Sequence, residues 1–186
     1  TRLRRQYLVP SSTTAAAGEG PALDVLAQLM GGGSNSYLYR ALVVDRPLAT
    51  SAGAGYQGTS LDPSQFSIAI SPKPGVEFAQ VEQVIDEVIS DIIKNPARAE
   101  DLERVKTQLI AGAIYAQDNQ ATLARWYGGA LTTGLSIDDI RSWPDRIRAV
   151  TAEQVRDVAQ KWLDKKRSVT GYLIKDSAPK REEKRS

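Results

Sequence analysis

The amino-acid sequence predicts an α+β fold, in which an antiparallel or mixed β-sheet is backed by several helices. Segments 48–57 and 66–71 both have strand character and are separated by only a short turn, which favours antiparallel neighbours. From residue 81 to residue 163, apolar residues recur every three or four positions, as they do on the buried side of a helix. Strand pairs without a helix between them indicate α+β rather than an alternating parallel fold.

The length of 186 residues suits one domain with a core of its own. We assign residues 1–175 to this single domain and residues 176–186 to a charged tail or linker, which we expect to be disordered. The chain begins at Thr1 without an initiating methionine, so we expect it to be part of a longer protein. No stretch is apolar and long enough to cross a bilayer.

Four strands are predicted, at residues 4–9, 48–57, 66–71 and 168–174, and the last two alternate most regularly. Helices are predicted at residues 21–31, 34–46, 81–93, 99–118, 120–131, 151–163 and, as a short segment, from residue 136. Local signals set several boundaries. The glycines 31–33 end the first helix, and Thr151 with Gln154 forms a capping box at the start of the last one.

Basic residues concentrate at the two ends of a chain whose net charge is +2. They are Arg2, Arg4 and Arg5 at the N-terminus and Lys180, Arg181, Lys184 and Arg185 at the C-terminus. Such clusters can bind nucleic acid or acidic lipid. Terminal charge runs are more often solvated linkers. We favour the linker, and we therefore predict no nucleic-acid partner.

The sequence contains neither histidine nor cysteine. Histidine is the commonest general base and metal ligand, and cysteine is the other usual zinc ligand. Their absence excludes a Ser-His-Asp triad, a histidine zinc helix, thiolate zinc sites and cysteine nucleophiles. Carboxylate sites for magnesium or calcium stay open, although no calcium-loop spacing is present. We therefore predict no catalytic residue and no metal site in this chain.

Three other patterns have a structural interpretation that we favour over a functional one. The segment Gly31–Ser34 resembles a phosphate-binding loop, but it follows a helix and fits a helix-to-helix turn better. Neighbouring carboxylates fit helix starts or the tail (Glu100, Asp101 and Glu103; Asp138 and Asp139; Glu182 and Glu183). The aromatic residues Trp126, Tyr127, Trp143 and Trp162 are predicted to pack in the core rather than to form a ligand cage.

A sheet with helices on one face leaves its other face for another domain or subunit to cover. Three ordered segments add to this interpretation. They are Leu26-x-x-x-Met30-Gly31-Gly32-Gly33-x-x-Ser36-x-Leu38-Tyr39-Arg40-x-Leu42, then Pro96–Lys106, and then Gly134–Ile140 with Trp143-Pro144 and Val150–Val155. Together they resemble the C-terminal, non-zinc-binding domain of M16 metallopeptidases, the relatives of pitrilysin, insulinase and mitochondrial processing peptidase. The resemblance runs from Gln6 to Ile174.

This resemblance implies an M16 peptidase-like (LuxS/MPP-like) fold and an accessory role in a zinc metalloendopeptidase. A preceding homologous domain would supply zinc and the general base through a His-x-x-Glu-His motif. This chain would shape the chamber, position the peptide substrate, bind no zinc and be inactive alone. The implied partner is that zinc-binding domain, in the same chain or in another subunit, and a homodimer is a further option. The alternative is a non-catalytic assembly module of the same fold. The resemblance favours the bacterial periplasm or envelope.

Some M16 relatives hold the substrate backbone with an Arg and a Tyr in a Leu-Arg-Glu-Lys-x-x-Leu-Ala-Tyr pattern. The matching stretch here runs from Leu42 to Thr50, with Val43 in place of the Arg and Thr50 in place of the Tyr. The pair is therefore not carried over. Arg40, Arg46 and Tyr56 are weaker candidates for substrate binding, and an ordinary surface role is favoured for each. The departure implies that the domain belongs to the zinc-bearing half.

Overall fold

The computed structural model describes residues 1–174. Within these residues there are four strands, β1 (Arg2–Val9), β2 (Ala49–Tyr56), β3 (Ser64–Pro72) and β4 (Ser168–Leu173). They form one antiparallel sheet in the order β2-β3-β1-β4. The predicted α+β class is confirmed, and so is the antiparallel pairing of the second and third strands. The predicted tail, 176–186, lies outside the described residues.

In the described part of the chain, seven helices accompany the sheet: α1 (Glu19–Gly31), α2 (Tyr37–Tyr39), α3 (Phe78–Lys94), α4 (Ala99–Ala116), α5 (Gln120–Thr132), α6 (Ile137–Ala149) and α7 (Ala152–Trp162). A π-helical turn, Arg40–Asp45, follows α2, and a 3₁₀ turn, Lys165–Arg167, precedes β4. Helix α1 is buried on most sides, because it packs against β2, α4, α6 and α7. It is the centre of the helical layer.

The core lies between that helical layer and one face of the sheet. Side chains of a strand alternate between its two faces, and the inward positions of β1 and β3 are almost fully buried. The inward positions are Leu3, Arg5, Tyr7 and Val9 on β1 and Phe66, Ile68 and Ile70 on β3. Helices α3 and α7 contribute apolar stripes to the same core. The period-two pattern that predicted β3 therefore also sets which face of the sheet is covered.

The interpretation of the basic N-terminus as a solvated linker is wrong. Residues 2–9 form β1, which lies inside the sheet between β3 and β4. Arg5 is fully buried, whereas Arg4 is exposed on the opposite face. Arg5 donates to Glu82 Oε2 at 2.8 Å, to Asp86 and to Thr170 Oγ1 at 3.2 Å. A buried charge is tolerated only when it is paired in this way.

The predicted helix at 34–46 is less regular than expected. Only Tyr37–Tyr39 is α-helical, and the next six residues widen into the π-helical turn, in which Arg46 N–H donates to the Ala41 carbonyl at 3.2 Å. Two local features explain the change. Pro47 forces the residue before it out of the helical region, and the β-branched Val43 and Val44 lower the helix propensity.

The helix that starts after Ser136 is longer than predicted, because it continues through Pro144 to Ala149. A capping box between Ser136 and Asp139 secures its beginning. Ile140 and Ile147 are buried on one face and anchor both halves to the core. Tertiary packing therefore overrides the helix-breaking effect of the internal proline.

Candidate functional site

The uncovered face of the sheet is the broadest candidate surface in the molecule. Its side chains are the outward positions of the strands, namely Ser51, Gly53 and Gly55 on β2, Ser67, Ala69 and Ser71 on β3, Arg2, Arg4, Gln6 and Leu8 on β1, and Val169, Gly171 and Leu173 on β4. Leu8, Val169 and Leu173 are 61%, 74% and 67% exposed. No helix among residues 1–174 packs on this face, which we call the open face.

The centre of the open face is a shallow depression, because the side chains there are mostly small. Gly53, Ala69, Arg4 and Gly171 lie side by side across the four strands. Without large side chains, the β2–β3 half leaves its backbone accessible from above. The charged groups on the face are two arginines, Arg2 and Arg4, and neither forms an ion pair within the described part of the chain. The open face is therefore shallow and weakly basic.

Both edge strands of the sheet pair on one side only. Strand β2 pairs only with β3, and strand β4 pairs only with β1. An edge strand presents unpaired N–H and C=O groups to which another extended chain can add. A bulge between Ala49 and Ser51 interrupts the register near the start of β2. The glycine-rich remainder of β2 is the flatter part of that edge.

The two positions that match the M16 Arg/Tyr pair lie at the start of this edge. Val43 is partly buried in the π-helical turn, and Thr50 is exposed on β2. The Thr50 hydroxyl donates to the Ser71 carbonyl at 3.2 Å. Neither side chain carries a charge or a phenol, so these positions offer no strong contact to a peptide backbone.

The three weaker candidates do not form one site. Arg40 and Arg46 are exposed beside a groove between the π-helical turn and α3, where Arg46 forms an ion pair with Glu87 at 2.6 Å. Tyr56 lies at the other end of β2, roughly 23 Å along the strand from Ala49. Its hydroxyl donates to the Pro10 carbonyl at 2.8 Å. Arg46 and Tyr56 thus both have structural partners.

Tyr56 lines a cleft of about 470 Å³ that sequence reasoning missed. The cleft lies between α1, α4, α5 and α6. Apolar residues of α4 and α6 form its walls with Trp126 and Trp143, and Asp24 of α1 contributes a carboxylate. The signal that could have revealed it is the acidic Asp24 between the buried Leu23 and Val25. We call this space the α5 cleft.

The predicted core role of the aromatic residues holds only in part. Trp143 and Trp162 are partly buried against the core. Trp126 and Tyr127 are outside it, because α5 packs loosely on α6, and both residues line clefts. For these two residues the core interpretation is wrong. Periodicity identifies the inward side of a helix, but it does not show how closely the next layer approaches.

Burial sets the electrostatics of the α5 cleft. It raises the pKa of the Asp24 carboxyl to about 6, against the opposing effects of a hydrogen bond from Trp143 and the charge of Arg146. The Trp143 Nε1–H donates to Asp24 Oδ2 at 3.0 Å. Burial and the negative charge of Asp24 also raise the pKa of Tyr56. The cleft therefore holds a carboxylate that titrates near neutrality.

The residues present do not fit a zinc site. Zinc in proteins takes imidazole, thiolate and carboxylate ligands, usually three or four together. Histidine and cysteine are absent from the sequence, and no group of three or more acidic side chains within residues 1–174 could hold a metal ion. The neighbouring carboxylates of α4 and α6 instead lie in first helical turns. None of the described helices is long and apolar enough to cross a membrane.

A sequence profile described as the peptidase M16 inactive domain matches residues 10–109, which is more than half of the chain. The chain belongs to the M16 inactive-domain family. The resemblance inferred from the sequence motifs is therefore confirmed. A search of curated proteins found no match to this M16 domain.

Solved structures share the fold of this M16 inactive domain. The inactive peptidase domain of a Bordetella parapertussis protein superposes on it with a TM-score of 0.84 and 18% identity. The match covers 98% of this chain and 94% of the Bordetella chain. This chain also resembles a peptidase M16 inactive domain from Pseudomonas fluorescens, with a TM-score of 0.75, 18% identity and coverage of 91% and 39%.

A protease from Helicobacter pylori is similar over 91% of this chain, with a TM-score of 0.82 and 20% identity. The M16 domain spans only 40% of the length of that protease. At these identities the likeness concerns the fold alone.

Proposed function

We propose that this chain is the accessory domain of a zinc metalloendopeptidase and that its open face forms one wall of the chamber that holds the peptide. Zinc and the general base would come from a homologous M16 domain in the same protein or in a partner subunit. The observation that carries the proposal is the open face itself. This uncovered face exposes three large apolar side chains, Leu8, Val169 and Leu173, and it belongs to an M16 inactive domain.

The residue types of this chain support a role in enclosing and holding the substrate. Hydrolysis of a peptide by zinc needs ligands that this sequence lacks, so the domain would act by enclosing and orienting the substrate. The small residues around Gly53 and Ala69 leave room for an extended peptide above the sheet. The edge of β2 or β4 offers backbone groups to which a peptide can add as another strand.

A non-catalytic assembly module is the second candidate function. The replacement of the Arg/Tyr pair by Val43 and Thr50 supports it if no partner half supplies such a pair, because both side chains that would hold the substrate backbone are then missing. In that case the open face would contact a structural partner rather than a peptide. The two functions differ in whether the assembled protein cleaves peptides.

The substitution Ala69→Arg tests the open face as a chamber wall. A long cationic side chain at the centre of the face would displace an extended peptide, and we expect peptide cleavage by the assembled enzyme to fall about tenfold or more. The measurement is kcat/KM for a fluorogenic peptide. Ala79→Arg is the matched control, because Ala79 is exposed on α3, on the helical side of the domain. It should leave cleavage unchanged.

Thermal unfolding of both variants separates a lost chamber wall from a lost fold. Equal cleavage by the wild type and the Ala69→Arg variant would contradict the chamber wall. Assembly without any peptide cleavage by the wild type would favour the structural module instead.

A further inference from the structure

We propose that the α5 cleft is a binding site for a small organic cation, an ammonium or guanidinium group on an apolar body, with the Asp24 carboxylate as its counter-ion. This site is separate from the open face. It lies among the helices, between α1, α4, α5 and α6, and the proposed chamber wall makes no use of it.

Asp24 is the reason to expect a ligand. Its carboxylate has two oxygens with about four acceptor positions. Among residues 1–174 it accepts one side-chain hydrogen bond, from Trp143 Nε1 at 3.0 Å. A partly buried carboxylate with so few donors is costly unless a further donor or a cation reaches it. The open side of the carboxylate faces the cleft.

The other charged groups of the cleft do not supply that partner. Arg146 donates to the Asp139 carbonyl at 2.6 Å, and its Nη1 lies 3.9 Å from the Asp139 carboxylate. Asp139 in turn accepts from Ser136 N and Oγ at 2.8 and 2.7 Å. Asp139 and Arg146 thus form a local ion pair on α6. Arg146 forms no ion pair with Asp24, although its charge lowers the Asp24 pKa. With the two carboxylates of Asp24 and Asp139 against the one guanidinium of Arg146, the lining carries a net negative charge that favours a cation.

Besides Asp24, the titratable residues of the cleft are Tyr56, Asp139 and Arg146, and a lowered pKa keeps Asp139 ionised near pH 7. Tyr56 is neutral near pH 7, because its pKa is raised. The lining residues of α4 and α5 carry no charge, since they are Leu109, Ala113, Ala116, Thr122, Trp126 and Ala130. The titration of the cleft near neutrality is therefore that of Asp24.

The walls of the cleft match the rest of such a ligand. Trp126 and Trp143 contribute aromatic rings, and Leu109 and Ile140 contribute aliphatic surface. An aromatic ring attracts a cation to its face, and the apolar walls bury the body that carries it. A cleft of about 470 Å³ lies within the size range of small-molecule sites. A carboxylate without an ion-pair partner, Asp24, beside aromatic walls selects a ligand by its charge as well as by its size.

The test uses the 186-residue chain labelled with nitrogen-15. Its three tryptophans yield three indole N–H signals, of which that of Trp143 reports directly on the contact to Asp24. The probes are 2-phenylethylamine and 3-phenylpropionate, which share an aromatic body and differ in charge. We expect saturable shifts of the Trp143 and Trp126 signals with the amine and none with the carboxylate. Equal shifts with both probes would overturn the proposal.

Two variants locate the charge that is responsible. Asp24→Asn should weaken binding of the amine about tenfold or more, because a charge-assisted hydrogen bond is lost. Asp138→Asn is the matched control, since Asp138 is exposed in the first turn of α6 and does not line the cleft. Undiminished binding by the Asp24 variant would contradict the assignment. Nα-acetyl-lysine amide forms a second arm, and its binding relative to 2-phenylethylamine distinguishes a peptide lysine from a free amine.

The pH dependence of the wild type gives a readout that does not depend on how the variant folds. The Asp24 carboxyl has a pKa of about 6, whereas the amine stays protonated throughout the range. Binding should therefore be strong at about pH 7.5 and should weaken severalfold by about pH 5, as Asp24 becomes neutral. Binding that is unchanged across this range would show that Asp24 is not the counter-ion.

Discussion

Replacing Arg5 with methionine is expected to lower the free energy of unfolding by about 3 kcal/mol. The Arg5 guanidinium is fully buried and joins three elements, since it contacts Glu82 and Asp86 on α3 and Thr170 on β4. Removal of the cation takes the buried partner from both carboxylates and leaves Tyr172 and Lys165 as their remaining donors. Loss of one partner of such a buried network costs more than the pair itself contributes. Chemical unfolding followed by circular dichroism measures the loss.

Arg4→Met is the matched control for this prediction. Arg4 is the adjacent residue on the same strand, but it lies on the open face and is exposed. We expect its replacement to change stability by no more than about 0.5 kcal/mol. Similar losses for the two variants would show that the buried ion network does not hold the sheet to α3.

The same network predicts how the Arg5 effect depends on pH. Burial alone would raise the pKa of Glu82 and Asp86, but hydrogen bonds from Tyr172, Lys165 and Arg5 outweigh it and leave both pKa values below the ordinary range. A lowered folded-state pKa stabilises the protein above the unfolded value of about 4, and this stabilisation is lost as the pH falls. The stability difference between wild type and Arg5→Met should therefore narrow below about pH 4.

Replacing Gly31 with alanine is expected to destabilise the domain by about 3 kcal/mol or more. Gly31 ends α1 at the point where the helix meets β2, and an added Cβ would overlap the backbone nitrogen of Ala54 and lie 2.6 Å from its Cα. Backbone atoms of a paired strand cannot move aside as a flexible side chain can. The helix and the strand would have to separate, and much of the packing around α1 would be lost.

Gly112→Ala is the matched control, because it adds the same methyl group at a position with open space around it. Gly112 is exposed inside α4, and an added Cβ there meets no atom within 4 Å. Alanine in an exposed helix interior is more favourable than glycine by up to about 1 kcal/mol. We therefore expect opposite signs for the two substitutions in thermal unfolding. A Gly31→Ala variant as stable as the wild type would contradict the close approach of α1 and β2.

Elements with a clear period were predictable from the sequence. The alternation in β3 and the apolar stripe of α3 each depend on the residues of one segment, and a segment carries that information locally. The capping box at Thr151 was found for the same reason, because both partners lie within four residues. The motifs also sufficed to place the chain in its family.

Features that depend on neighbours distant in sequence were not predictable in the same way. Arg5 counted as part of a basic terminus, because its partners Glu82 and Asp86 lie about eighty residues away. The α5 cleft was missed because its residues come from four helices and one strand. Trp126 has a helical register that points inward, yet α5 stands too far from the core for the ring to be buried there. The periodicity of one segment carries no information on how far that segment lies from the elements that pack against it.

We propose that this M16 domain encloses the peptide substrate of a peptidase and that the zinc chemistry comes from another domain. The most direct measurement is the zinc content of the purified 186-residue chain by mass spectrometry, together with its cleavage of an unfolded peptide in the presence of added zinc. We predict no stoichiometric zinc and no zinc-dependent cleavage. One bound zinc per chain, with cleavage that a chelator abolishes, would contradict the claim.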